Sequence, residues 1–141
     1  MKYLTLILLM TITAMPLWAA SQLGIYTSVV AQVPFDFIVG DKVIPAGELI
    51  VQPATAADET ISIRNTDAKI GLFSPTSPVE TRKAAGASAL IFHKYGDRYF
   101  LSAIRLEGTR TSYEVPQSRA ETELNDQKAP FVENITVTSL K

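Results

Sequence analysis

The chain has 141 residues, a formal charge of −1 and no cysteine. That length suffices for one domain with its own core. The missing thiols exclude disulfides, thiol catalysis, Cys-ligated zinc and a lipid-attached N-terminal Cys. The slightly acidic balance argues against a nucleic-acid partner, which needs a basic patch, and a single histidine argues against a histidine-based metal site.

Residues 1–21 read as a secretory signal peptide. Lys2 gives the positive start, an apolar run extends from Leu4 to Ile12, Pro16 follows, and Ala19, Ala20 and Ser21 offer small residues for cleavage. The run is shorter than the ~20 residues a membrane-crossing helix needs. The expectation is export to the periplasm or the medium, with no stable membrane span after cleavage. Asn134, Ile135 and Thr136 match a glycosylation acceptor that only a eukaryotic secretory route would use.

Residues 22–141 then form the expected folded domain. Val29, Ala31, Val33, Phe35, Phe37 and Val39 alternate with Val30, Gln32, Pro34, Asp36 and Ile38. A period of two indicates a strand with those residues on its core face. Pro34 lacks an N–H, which places the strand at an edge or at a bulge. Gly40 and Asp41 make a turn, residues 42–44 a short strand, Pro45 to Gly47 a tight turn and residues 49–52 a further strand. Residues 60–64 and 69–73 read as a strand pair around Asn65, Thr66, Asp67 and Ala68, a turn rich in side chains that bond back to the backbone. Residues 74–87 carry two prolines and mixed charge and read as the longest, most mobile loop.

Residues 88–106 form the central hairpin, with Gly96 and Asp97 as a two-residue type II′ turn. That register sets Tyr95 opposite Arg98, His93 opposite Phe100 and Ile91 opposite Ser102. One face then carries Leu90, Phe92, Tyr99, Leu101 and Ala103, the other Ile91, His93, Tyr95, Phe100 and Ile104. Both faces are substantially apolar, whereas a hairpin with one wet face alternates more cleanly. The second face therefore needs a cover: another sheet, a helix or a partner chain. After it, residues 113–115 suggest a short strand. Ser118 precedes Glu121 by three residues, a capping-box spacing that opens a helix over 119–125, with Ala120 and Leu124 as its docking stripe. Phe131, Ile135 and Val137 mark a closing strand.

No residue set carries recognisable catalytic, cofactor or metal chemistry. His93 could serve as a general base, but no nucleophile or orienting acid stands at a recognisable spacing from it. Asp36, Glu48, Asp97 and Glu114 are acids whose separation the sequence does not give. Lys94, Tyr95, Arg98, Tyr99 and Arg105 interleave basic and aromatic side chains, a pattern that either binds sugars and anions or pairs across the sheet through cation–π contacts.

Four segments carry a family resemblance: Val33 to Gly40 (VPFDFIVG), Ile44 to Glu48 (IPAGE), Tyr95 to Leu101 (YGDRYFL) and Val115 to Glu121 (VPQSRAE). In that order they resemble short exported bacterial proteins of unassigned function, found largely in acidobacterial genomes. The resemblance implies export and a compact β domain, and implies no catalytic residues. Leu49 and Ile50 stand where that family carries a Tyr-Thr pair.

Many short strands bounded by Gly, Pro, Asn and Asp indicate an all-β fold, a single antiparallel sandwich or small barrel with one short C-terminal helix. The functional expectation is a non-enzymatic binding or interaction module of the cell envelope, without cofactor, whose partner is an envelope protein or glycan. Its candidate surface is Ile91, His93, Tyr95, Arg98 and Phe100. The alternatives are a subunit that self-assembles through a strand edge, with residues 22–32 as donor, and a small hydrolase using His93 and a carboxylate.

Overall fold

Alternating apolar residues make strands here because each pleated strand turns successive side chains to opposite faces. The structure, a computed structural model, describes residues 28–54, 59–129 and 131–138, with the backbone alone over 131–135. The expected signal peptide lies outside the described residues.

The elements in chain order are β1 (Val29–Val33), β2 (Phe37–Val39), β3 (Lys42–Ile44), β4 (Gly47–Pro53), β5 (Thr60–Asn65), β6 (Ile70–Pro75), β7 (Ser77–Glu80), β8 (Ala89–Tyr95), β9 (Arg98–Arg105), β10 (Thr111–Glu114), α1 (Arg119–Asp126) and β11 (Phe131–Thr138). One sheet has the order β1-β4-β5-β6. The other has the order β11-β8-β9-β10-β7, with β2 beside β9 and β3 returning along β2. The two sheets enclose one apolar core: Val29, Ala31, Val33, Leu49, Val51, Ile61 and Ile63 from the first meet Leu90, Phe92, Leu101 and Ile104 from the second. The fold is an all-β sandwich with one short helix among the described residues, and the barrel alternative falls away because the sheets stay separate layers.

The run from Val29 to Val39 is not one strand. It breaks at Pro34, so that β1 joins one sheet and β2 the other. Pro34 supplies no ladder donor, and Asp36 turns aside to accept the Ala46 N–H at 2.8 Å. The alternation survives the break: Val29, Ala31, Val33, Phe37 and Val39 are all buried. Residues 29–32, part of the expected strand donor, already pair with β4 of their own domain.

Residues 74–87 are more ordered than their composition suggests. β7 lies within them and pairs with β10 at the sheet edge, where Pro78 needs no outer donor. Arg110 ties the segment down, with its guanidinium 3.0 Å from Glu80 Oε1 and its carbonyl accepting the Thr81 N–H.

The central hairpin forms with positive φ at Gly96 and not at Asp97, as a type II′ turn requires. Tyr95 pairs with Arg98 and His93 with Phe100, but Ile91 pairs with Ala103 rather than Ser102. Ser102 is the extra residue of a β-bulge, which shifts the face of everything beyond it. Ile104 consequently joins the core, and Ala103 takes the outer face beside Ile91. The cover over that outer face is intramolecular and includes α1, whose Glu121 reaches Tyr95 and His93.

Phe100 is 1% exposed on this second face. Replacing it with Asp buries an unpaired carboxylate, at an expected cost of several kcal/mol. Chemical denaturation of Phe100→Asp should show an unfolded or severely destabilised monomer; near-wild-type stability would contradict the burial described here.

Candidate functional site

Three elements bring four polar side chains together on the outer face of the hairpin. β8 supplies His93 and Tyr95, two residues apart and therefore on one face. β9 supplies Ser102, aimed by the bulge. α1 supplies Glu121 from its first turn. His93 Nδ1 lies 2.6 Å from Glu121 Oε1, and Ser102 Oγ lies 2.9 Å from His93 Nε2. The Tyr95 hydroxyl donates to the same Glu121 oxygen at 3.3 Å.

The roles follow from donor and acceptor capacity. A carboxylate only accepts, so Nδ1 carries a proton toward Glu121. Nε2 of the neutral ring is then an acceptor, and the Ser102 hydroxyl donates to it. This network logic assigns the tautomer. The arrangement is a hydroxyl, an imidazole and a carboxylate in series, the order in which an imidazole can take a hydroxyl proton while the acid holds the ring.

Glu121 is the unusual member, 2% exposed in a small domain. An unpaired carboxylate there would carry a large desolvation cost. It is offset by two side-chain donors and by the positive end of α1, because Glu121 sits in the first turn. The Ser118 hydroxyl accepts the Glu121 N–H at 3.1 Å, forming the expected cap. The Glu121 side chain accepts from His93 and Tyr95, the role it takes instead of the capping-box bond back to Ser118. Ala120 and Leu124, the expected docking stripe, are only half-buried, and Glu121 is the buried residue of the helix.

The residues singled out from sequence are divided by this geometry. His93 is partly accessible, with a quarter of its side chain exposed. Ile91 is half-buried, whereas Tyr95 and Phe100 are buried and Arg98 is exposed. The Arg98 guanidinium lies 5.5 Å from the Phe100 ring centre, and the Lys94 ammonium 5.5 Å from that of Tyr99. Lys94 and Tyr99 thus pair across the hairpin, whereas Arg98 and Phe100 are neighbours along one face of β9. Tyr99 also stacks on Phe35 at 3.9 Å. Among the four acids weighed, Asp36 caps the Ala46 N–H and Glu48 accepts from the Thr66 hydroxyl at 3.0 Å. Asp97 and Glu114 are exposed. The acid that reaches His93 is Glu121, which the sequence marks only as a helix cap. Among the described residues no three His, Asp or Glu side chains converge as a metal site.

Comparison adds no relative: no protein-family model matches the chain, and no curated protein or solved structure matches it.

The Tyr95 hydroxyl is held above its ordinary value near 10 by burial first, then by the Glu121 charge, then by its hydrogen bond to Glu121. The folded state therefore keeps this proton more tightly than the unfolded chain. The corresponding stability is fully present below pH about 10 and is lost as pH rises through the higher folded value. Urea denaturation should show wild-type stability falling more steeply above pH about 10 than that of Tyr95→Phe. At neutral pH the variant should lose about 1 kcal/mol. Parallel pH profiles would contradict the coupling.

Proposed function

We propose that this chain is an exported interaction module of the cell envelope, and that its partner adds an extended segment along β6. The observation that carries this reading is the outer edge of β6. It pairs with β5 and with no other described strand, and Phe73 on it is 73% exposed. Strand edges offer unpaired N–H and C=O groups, and proteins usually blunt them. Here Gly71 adds no bulk, Phe73 stands out as an apolar handle, and a partner strand would gain backbone bonds as well as side-chain contact.

Two hollows lie near this strand, one beside its outer edge and one at the β5–β6 turn. One, of about 460 Å³, lies between residues 71–75 and the turn of residues 39–42. The other, of about 390 Å³, is lined by Arg64, Asn65, Thr66, Lys69, Ile70 and Gly71. Lys42, Arg64 and Lys69 outnumber Asp41 on their walls. The favoured occupant is therefore an extended segment in which apolar residues alternate with acidic ones. The signal-peptide pattern and the family resemblance support the envelope as the place of action.

The test uses a seven-residue peptide alternating valine and glutamate, titrated into the labelled domain. Amide shifts should concentrate in residues 70–75 and vanish in Phe73→Asp. Shifts elsewhere, or none, would overturn the reading. A dimer joined through β6 before any peptide is added would favour the self-assembling subunit instead.

A further inference from the structure

Beyond docking at β6, the series Ser102, His93 and Glu121 carries chemistry that the docking reading leaves unused. We propose that Ser102 is a nucleophile that accepts the acyl group of small, uncharged carboxylic esters, with His93 as its base.

Four features support this assignment together. The hydroxyl-to-imidazole distance of 2.9 Å and the imidazole-to-carboxylate distance of 2.6 Å are both within direct proton-transfer reach. The tautomer set by Glu121 leaves Nε2 as the acceptor facing Ser102. The bulge at Ser102 breaks the ladder where the hydroxyl is needed, as bulges near reactive groups do. Finally, a quarter of the His93 side chain meets solvent and Ser102 is half-buried, so a small electrophile can approach. Ile91 and Ala103, cross-strand partners beside Ser102, are apolar neighbours that favour a small uncharged substrate over an ionic one.

The reaction balances without a further reagent. Ser102 Oγ attacks the ester carbonyl carbon while its proton passes to His93 Nε2. The carbon–oxygen bond to the alcohol breaks, and the departing alkoxide takes that proton. Water then attacks the acyl-serine, again losing its proton to Nε2, and Ser102 is regenerated with release of the carboxylic acid. Ester and water become acid and alcohol. Glu121 touches no substrate; it is a positioning residue that holds the ring and its tautomer. Ser102 lies on a strand, not on the strained strand-to-helix turn that exposes the nucleophile in α/β-hydrolases. Turnover is therefore expected to be slow, and acylation is the step to measure.

The experiment is labelling of the folded protein with a small alkyl fluorophosphonate. The serine oxygen attacks phosphorus, fluoride leaves, and the adduct is located by peptide mass spectrometry. One adduct per chain is expected, on Ser102, at a rate that varies with pH. Ser102→Ala should abolish it. His93→Gln should slow it about 100-fold, and Glu121→Gln should slow it and shift its pH profile while circular dichroism stays native. A folded protein with no adduct at Ser102, or a labelling rate indifferent to His93→Gln, would overturn the proposal and leave the series a purely structural network.

Discussion

The carboxylate of Glu121 is the interaction on which the second half of the structure depends. It is buried between a helix and a sheet, so its charge must be matched where it lies. The two donors that reach it, His93 Nδ1 and the Tyr95 hydroxyl, both come from β8. They therefore fix the position of α1 relative to the central hairpin. A hydrophobic stripe alone would let so short a helix slide, and the helix has little apolar surface to offer: its two candidate docking residues, Ala120 and Leu124, are only half-buried. A short polar anchor of this kind trades desolvation for geometric definition. Among the described residues every buried side-chain nitrogen or oxygen has a partner, which is the condition for such a network to hold.

The bulge at Ser102 is the second constraint, because it reconciles two demands on one strand. The first half of β9 must place Phe100 on the outer face under its cover and Leu101 in the core. The second half must return Ile104 to the core between the sheets. Strict alternation would put Phe100 and Ile104 on the same face. One extra residue changes the phase, and the residue left over is the serine that meets His93. The polar series on the outer face and the apolar packing on the inner one thus share a single cause.

The architecture was legible where composition and periodicity speak directly. The hairpin turn, the pairing of His93 with Phe100, the helix cap at Ser118 and the inward set Val29, Ala31, Val33, Phe37 and Val39 can all be read from residue type and spacing. What escaped depends on long-range placement. The division of the first strand at Pro34 follows from which sheet each half joins, and a period of two looks the same on either side. β7 hides in a proline-rich run because its pairing with β10 is an edge contact with little sequence signature. The bulge has no marker, since neither Ser102 nor its neighbours is a glycine or proline. The polar series was half visible. Ser102 lies two positions beyond Phe100 on the face of His93, which the hairpin register already implied. The capping-box spacing marks Glu121 as a cap, but nothing local says that its side chain turns away from Ser118. The path of residues 115–118 decides that, and such a path is set by packing.

The central claim, that Glu121 locks His93 as the Nδ1-protonated tautomer with Nε2 left to accept from Ser102, is tested most directly by nitrogen-15 NMR of the imidazole ring at neutral pH. The account predicts a single proton-bearing Nδ1, slow to exchange with water, and an Nε2 shifted as a hydrogen-bonded acceptor. A ring protonated at Nε2, or one averaging rapidly between tautomers, would contradict it.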